Sequence, residues 1–202
     1  MLVTLWLIEV EPGEVGMKRF FDLVMAIVLI IVFCIPMLLI SLMIKISSKG
    51  SVLYWSDRIG IDNVIFKMPK FRTMRTDTPP VATHLLKNPE AYLTPVGSFL
   101  RKFSLDELPQ LWSILKGDMT FVGPRPALYN QDDLIELRTR KNIHTLTPGI
   151  TGWAQVNGRD ELPIPAKVEF DDYYVKNKSF LLDLKILWMT IEKVLKKEGI
   201  RH

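Results

Sequence analysis

The sequence predicts an α+β chain, a small mixed domain of helices and a β-hairpin carried on one membrane-entering helix. Three observations predict it. An uncharged apolar run fills Leu23 to Ile44. Two β-prone runs follow it around a turn-rich connection, and the remainder reads as helices punctuated by Gly and Pro. Composition agrees, with 48% hydrophobic residues and a mean hydropathy of +0.16 beside 24% charged residues. That mixture describes a charged globular part with a separate apolar segment.

The apolar run, "LVMAIVLIIVFCIPMLLISLMI", would reach roughly 33 Å as a helix, against a hydrocarbon core of about 30 Å. It is too long for a cleavable signal peptide, and no small-residue cleavage site follows it. Pro36 lies inside the run, where it removes a backbone donor and presses on the carbonyl of Val32. The flanks are basic on both sides, Lys18 and Arg19 before and Lys45 and Lys49 after, so they set no direction of crossing. A re-entrant hairpin turning at Pro36 and a tilted span both fit. Residues 1–16 are too short to cross and read as a leader without assigned function, since Met17 and "KRFFDLV" look like an ordinary start. The chain thus divides into 1–16, a membrane-entering segment 17–49 and a domain 50–202.

Within that domain, "SVLYW" and "VIFKMPKFRTM" around "SDRIGIDN" predict a hairpin. Residues 75–95, with four prolines, predict a loop holding one short helix. "SLDELPQLWSILKG" predicts a helix ended by Gly117. "FVGPRPALYN" reads as a short rigid passage, "DDLIELRTRKNI" as a charged helix and "LTPGITGWAQVNGRD" as a Gly-punctuated hairpin or loop. The last helix carries Leu181, Leu184, Trp188, Ile191 and Leu195 on one stripe. A core-facing stripe is the simpler expectation, an interfacial membrane helix the sharper one.

Charge and residue types narrow the chemistry. A net charge of +4 favours acidic partners such as nucleic acid, anionic lipid or phosphorylated small molecules. Cys34 is the one cysteine, so no intrachain disulfide forms, and His84, His144 and His202 lack metal-ligand spacing. The acids Asp106 and Glu107 stand at the front of the "SLDELPQLW" helix. A capping box from Ser104 to Glu107 would use one of them, although Pro109 fits better if Asp106 is the cap. Leu108, Leu111, Trp112 and Leu115 form the expected buried stripe, with Asp106 facing open space beside Gln110 and Ser113. At a positive helix end, near Arg101 and Lys102, Asp106 would stay ionised and could act as a nucleophile without a separate base.

Three further groups offer chemistry. Prolines flank Arg125 in "GPRP" and stiffen a guanidinium fork suited to phosphate oxygens, or a surface turn paired with some acid. In "KFRTM", Lys70 and Arg72 fall on one strand face, as an anion site or as solvated charges. In "EFDDYYV", Asp171 or Asp172 could help hold a divalent cation, or both could simply be solvated.

Together "KRFFDLVMA", "FKMPKFRTM", "SLDELPQLWSILKGDMTFVGPRP", "TPGITGWAQVNGR" and "YYVKNKSFLLDLKIL" resemble the bacterial monotopic polyprenyl-phosphate phosphoglycosyltransferases, in family order from Lys18 to Leu195. The resemblance implies the minimal catalytic form of that family, with residues 50–202 as a cytoplasmic catalytic domain. It implies transfer of a phosphosugar from a UDP-sugar to undecaprenyl phosphate, giving an undecaprenyl-diphosphate sugar and UMP. It also implies Asp106 as nucleophile, forming a covalent phosphosugar-aspartate, and Glu107 as its partner acid. Mg²⁺ would be associated with Glu107 and Asp106. Arg125 would bind phosphate, and Arg101, Lys70 and Asp171 match other polar positions of the site. The implied placement is monotopic, at the bacterial inner membrane among phospholipid, on a re-entrant hairpin broken at Pro36 with interfacial amphipathic helices and a cytoplasmic active site.

Two positions depart from the family pattern: Ile35 replaces the serine that often precedes the proline, and "GIDNVIF" lacks a second glycine. A membrane-anchored module binding lipid or an assembly partner without turnover is the rival of another class. Nucleic acid is not expected as a partner, since the chain has an apolar segment and no nucleic-acid motif. The sequence leaves room for a homodimer and does not identify the sugar.

Overall fold

The computed structural model describes residues 14–79, 88–158 and 162–196. Most of the N-terminal leader and part of the proline-rich loop lie outside the described residues. The architecture is α+β: two two-stranded sheets and seven α-helices among the described residues, with one long apolar helix at the N-terminal side.

That helix, α1 (Glu14–Ser47), is long and apolar enough to cross a membrane by length and composition, and most of its apolar window is exposed. It continues as one helix through Pro36, where the turn of a hairpin was expected. Pro36 costs the ladder one donor while the turns on either side keep theirs.

The domain grips α1 at both ends. Near the start, Arg19 donates to the carbonyls of Ile114 (2.7 Å) and Leu115 (3.0 Å), near the C-terminal end of α3 (Leu111–Lys116). Buried Asp22 accepts from the Thr120 hydroxyl (2.6 Å) and the Phe121 N–H (3.2 Å) of β3 (Thr120–Val122). Lys18 donates to the Val122 carbonyl and pairs with Asp183. Ala26 then joins the main core with Leu111, Ile114, Phe121 and Ile186. At the far end Ile40 and Ile44 pack with Phe71 and Leu100. Between them Ile31, Val32 and Ile35 are exposed.

The predicted hairpin forms as β1 (Leu53–Ile59) antiparallel to β2 (Ile65–Phe71). Its first strand runs on through Ser56–Ile59, which the sequence placed in the connection, because Asp57 pairs across the ladder with Lys67 (2.8 Å). The turn dispenses with a second glycine. Asp62 and Asn63 take positive φ, +53° and +60°, a conformation that these two residue types tolerate.

"LTPGITGWAQV" departs from a hairpin. Gly149–Thr151 form β4, parallel to β3, and Trp153–Gly158 form α5. Parallel pairing needs close backbones, and glycine supplies them: a Cβ on Gly149 would lie 2.1 Å from the Gly123 nitrogen. The remaining helices are α2 (Gly97–Lys102), α4 (Asp132–Arg140), α6 (Ile164–Asn177) and α7 (Phe180–Lys196). In α7 the expected core stripe faces outward. Leu181 is 78% exposed and Trp188 64%, while Asp183 and Ile186 pack inward. Periodicity locates an apolar stripe but does not say what covers it.

Removing the Asp22 carboxylate would leave a buried N–H and hydroxyl without an acceptor, at about 1–3 kcal/mol for such a group. Asp22→Ala should therefore lower stability by at least that much, read as the denaturation midpoint of the detergent-solubilised protein.

Candidate active site

The stretch carrying both acids is not one helix. Leu105–Gln110 form a 3-10 helix that passes into α3, which Gly117 ends with φ +92°. Pro109 has no N–H for an α-helical ladder, so the segment tightens before it. Ser104 enters at φ +54° and makes no side-chain cap, and Asp106 is not the cap either. The Glu107 side chain turns away from Ser104 altogether.

Exposure follows the expectation at Leu111, which is buried, and at Leu108 and Leu115, which pack against the core, but reverses it at Asp106 and Trp112. Asp106 is buried, at 8% exposure, as are Gln110 and Ser113, while Trp112 is 56% exposed. The cause is tertiary: β2 runs alongside the 3-10 segment and lays Lys70 over the acids. Trp112 takes the outward face instead.

Glu107 is the hub. Its Oε1 accepts from Lys70 Nζ at 2.6 Å and from Arg125 Nη2 at 2.7 Å. Burial alone would raise this carboxyl, but the charges and hydrogen bonds of Arg125 and Lys70 outweigh it and hold the group well below the usual glutamate range. Asp106 differs. Its Oδ2 lies 3.9 Å from Lys70 Nζ, and no described residue donates it a hydrogen bond. Burial pushes the Asp106 carboxyl up and Glu107 adds to the push, while Lys70, Arg101 and Arg125 pull it down. The two adjacent acids are therefore shifted in opposite directions, one held as a counter-ion by two cations and one raised by burial.

Arg125 sits on a passage held by its carbonyls, since prolines cannot donate. The Pro124 oxygen accepts from Gly149 N–H (3.0 Å), Arg125 from Arg138 Nη1 (2.7 Å), Pro126 from Arg58 Nη1 (3.2 Å) and Ala127 from Ile59 N–H (3.0 Å). Four successive oxygens are thus fixed by four different residues. Arg101 donates from Nε to the Thr73 hydroxyl (3.0 Å), and burial depresses its guanidinium against the opposing charge of Asp106.

Two expected members stand elsewhere. Arg72 turns from the Lys70 face to donate to the Ser48 carbonyl (3.1 Å) and hydroxyl (2.9 Å) beyond the end of α1. Asp171, 1% exposed, lies on α6 in a buried pair with Arg138, its Oδ2 accepting from Nε (3.0 Å) and Nη2 (2.6 Å). Its carboxyl is raised by burial against the pull of Arg138. Asp172 pairs with Lys176 and Lys141. Arg138 itself went unnoticed in the sequence. The available signal was its place four residues after Leu134, on the buried side of α4.

Among the described residues no cluster of three or more His, Cys, Asp or Glu converges on one point. The donor set Asp106 and Glu107 suits Mg²⁺, which takes one or two carboxylates and completes its shell with water and substrate phosphate.

The family model described as bacterial sugar transferase matches residues 13–197. The chain belongs to that family. This sugar transferase is 44% identical over 188 residues to the uncharacterized sugar transferase EpsL of Bacillus subtilis, covering 92% of the chain and 91% of the relative. It is 39% identical to the exopolysaccharide production protein ExoY of Rhizobium meliloti, covering 90% and 87%. It is also 38% identical to the UDP-glucose:undecaprenyl-phosphate glucose-1-phosphate transferase of Escherichia coli, covering 88% of the chain but 40% of that longer relative. Membership makes the chain an enzyme of the sugar-phosphate transferase class.

A depressed folded-state carboxyl stabilises above its unfolded pKa and loses that contribution as pH falls through its folded one. Glu107→Gln should therefore reduce stability at neutral pH. The gap to wild type should close on acidification below the ordinary glutamate range, as followed by denaturant melts at stepped pH.

Proposed function

We propose that this sugar transferase moves a phosphosugar from a UDP-sugar to undecaprenyl phosphate, through an intermediate on Asp106. The observation that carries the proposal is the asymmetry of the two acids. A carboxylate that takes no hydrogen bond from any described residue, beside a cluster of cations, is a nucleophile aimed where phosphate would bind. The names of relatives from Escherichia coli and Aeromonas hydrophila, transferases for UDP-glucose and for UDP-N-acetylgalactosamine with undecaprenyl phosphate, support the substrate classes.

In the proposed reaction an Asp106 oxygen attacks the sugar-bearing phosphorus, and the bond from that phosphorus to the bridging oxygen breaks. UMP leaves with the electron pair. An oxygen of the lipid phosphate then attacks the same phosphorus and displaces the aspartate. Arg125, held by Glu107 and by the Pro-Arg-Pro carbonyls, grips nonbridging oxygens, with Lys70 and Arg101 contributing positive charge. Mg²⁺ held by Asp106 and Glu107 would screen the pyrophosphate charge. Asp171, occupied by its buried pair with Arg138, takes no part in contacting substrate in this reading.

The same reading includes monotopic membrane association, with the active site on the cytoplasmic face of the inner membrane. Both ends of α1 pack on one domain, which a helix with its ends on opposite sides of a bilayer could not do. The exposed middle, Ile31–Ile35, would then enter deepest, beside Pro36, which removes one donor from the ladder. The outward Leu181, Leu184, Trp188 and Ile191 face of α7 suits the headgroup layer.

Labelled UDP-sugar without lipid acceptor should mark wild-type protein and not Asp106→Asn, which should also lose UMP release at least about 1000-fold. A wild-type chain that turns over without ever carrying label would remove the covalent route. Activity should fall on acidification along a limb above the ordinary aspartate range, because burial favours the protonated acid. Lys70→Met should shift that limb further upward, as measured in initial-rate pH profiles.

A further inference from the structure

The grip on phosphate depends on where the Arg125 main chain lies, and that chain carries a buried charge pair behind it. Arg138 is 7% exposed and Asp171 1%. Two guanidinium nitrogens of Arg138 close on one Asp171 oxygen, and the third, Nη1, reaches the Arg125 carbonyl at 2.7 Å. We propose that Arg138, charge-balanced by Asp171, is a positioning residue for Arg125: it sets the Pro-Arg-Pro main chain, and through it the guanidinium, without touching substrate. The inference rests on the reading of Arg125 as the phosphate-binding arginine of sugar-phosphate transfer.

Three physical points support it. A buried ion pair is a poor way to gain stability, since desolvation consumes most of the attraction and apolar packing does as well. Its use here calls for a geometric role. Prolines on both sides of Arg125 offer no N–H, so the carbonyls are what the surroundings can hold, and the oxygen of Arg125 itself is held by Arg138. The fork is also needed: one planar group serves Asp171 and the Arg125 oxygen at once, which a lysine point charge cannot copy. On its other side Arg125 meets Glu107 Oε1 at 2.7 Å and the Ile150 carbonyl at 3.4 Å. A shift of its main chain would be felt at both.

The test is a double-mutant cycle. UMP release is measured with undecaprenyl phosphate and whichever of UDP-glucose, UDP-galactose and UDP-N-acetylgalactosamine wild type turns over. Arg138→Lys should lower kcat/KM by about 10- to 100-fold, the scale of an ångström of misplacement. Added to Arg125→Ala, the same substitution should cost less than about threefold, because its route to the reaction has gone. Melting temperatures monitor the fold, and Asp171→Asn enters the same cycle should Arg138→Lys fail to accumulate. Losses that multiply in the double variant, or an unaffected Arg138→Lys, would overturn the inference. A wild-type protein inactive on all three donors would instead remove the reading beneath it, a separately recognisable failure.

Discussion

One oxygen atom organises this transferase. Glu107 Oε1 takes hydrogen bonds from Lys70 on the β-hairpin and from Arg125 on the Pro-Arg-Pro passage, and so ties together three segments far apart in sequence. The cost of burying a carboxylate is offset by two cations at hydrogen-bonding distance, the circumstance in which burial of charge is tolerated. The consequence for chemistry falls on the neighbour. Because Glu107 absorbs the strongest contacts, Asp106 keeps a carboxylate that feels Lys70, Arg101 and Arg125 by charge, with the Lys70 ammonium 3.9 Å from its Oδ2. The division of labour between adjacent acids follows from who is bonded to whom.

Around that atom the scaffold is built from backbone groups. The 124–127 carbonyls are held by four different residues, and Gly123, just past β3, and Gly149 of β4 let two short parallel strands approach closely enough to supply part of that hold. From the other side, Arg19 meets the end of α3, which continues the 3-10 segment that carries the acids, and Asp22 meets β3, which leads into the Pro-Arg-Pro passage. The charged residues at the head of the apolar helix therefore do more than mark its boundary.

Much of this was legible beforehand. The hairpin, the stop at Gly117 and the charged helix α4 arise from local rules, where turn chemistry and side-chain alternation decide, while the expectation that the acids and Arg125 share one site came from the family resemblance. What escaped was decided between segments. Asp106 was expected in the open because helical geometry describes the segment alone, and β2 covers it. The α7 stripe was expected inside because periodicity does not say which side meets protein. Asp171 was placed in the site by the family resemblance, and its buried pairing with Arg138 was not visible because charge alone marks α4 as solvated. β3 and β4 are too short to show as strands, and their pairing rests on glycine contacts that a linear pattern does not display.

The double grip on α1 changes what the helix is. An anchor attached at one point could be clipped off to give a water-soluble fragment. Here a cut before Gly50 would uncover the apolar surface that Ala26, Ile40 and Ile44 close, and would strip donors from the carbonyls of Ile114, Leu115 and Val122. The greasy rod is a wall of the building rather than its mooring line, and it cannot be taken away without opening the interior.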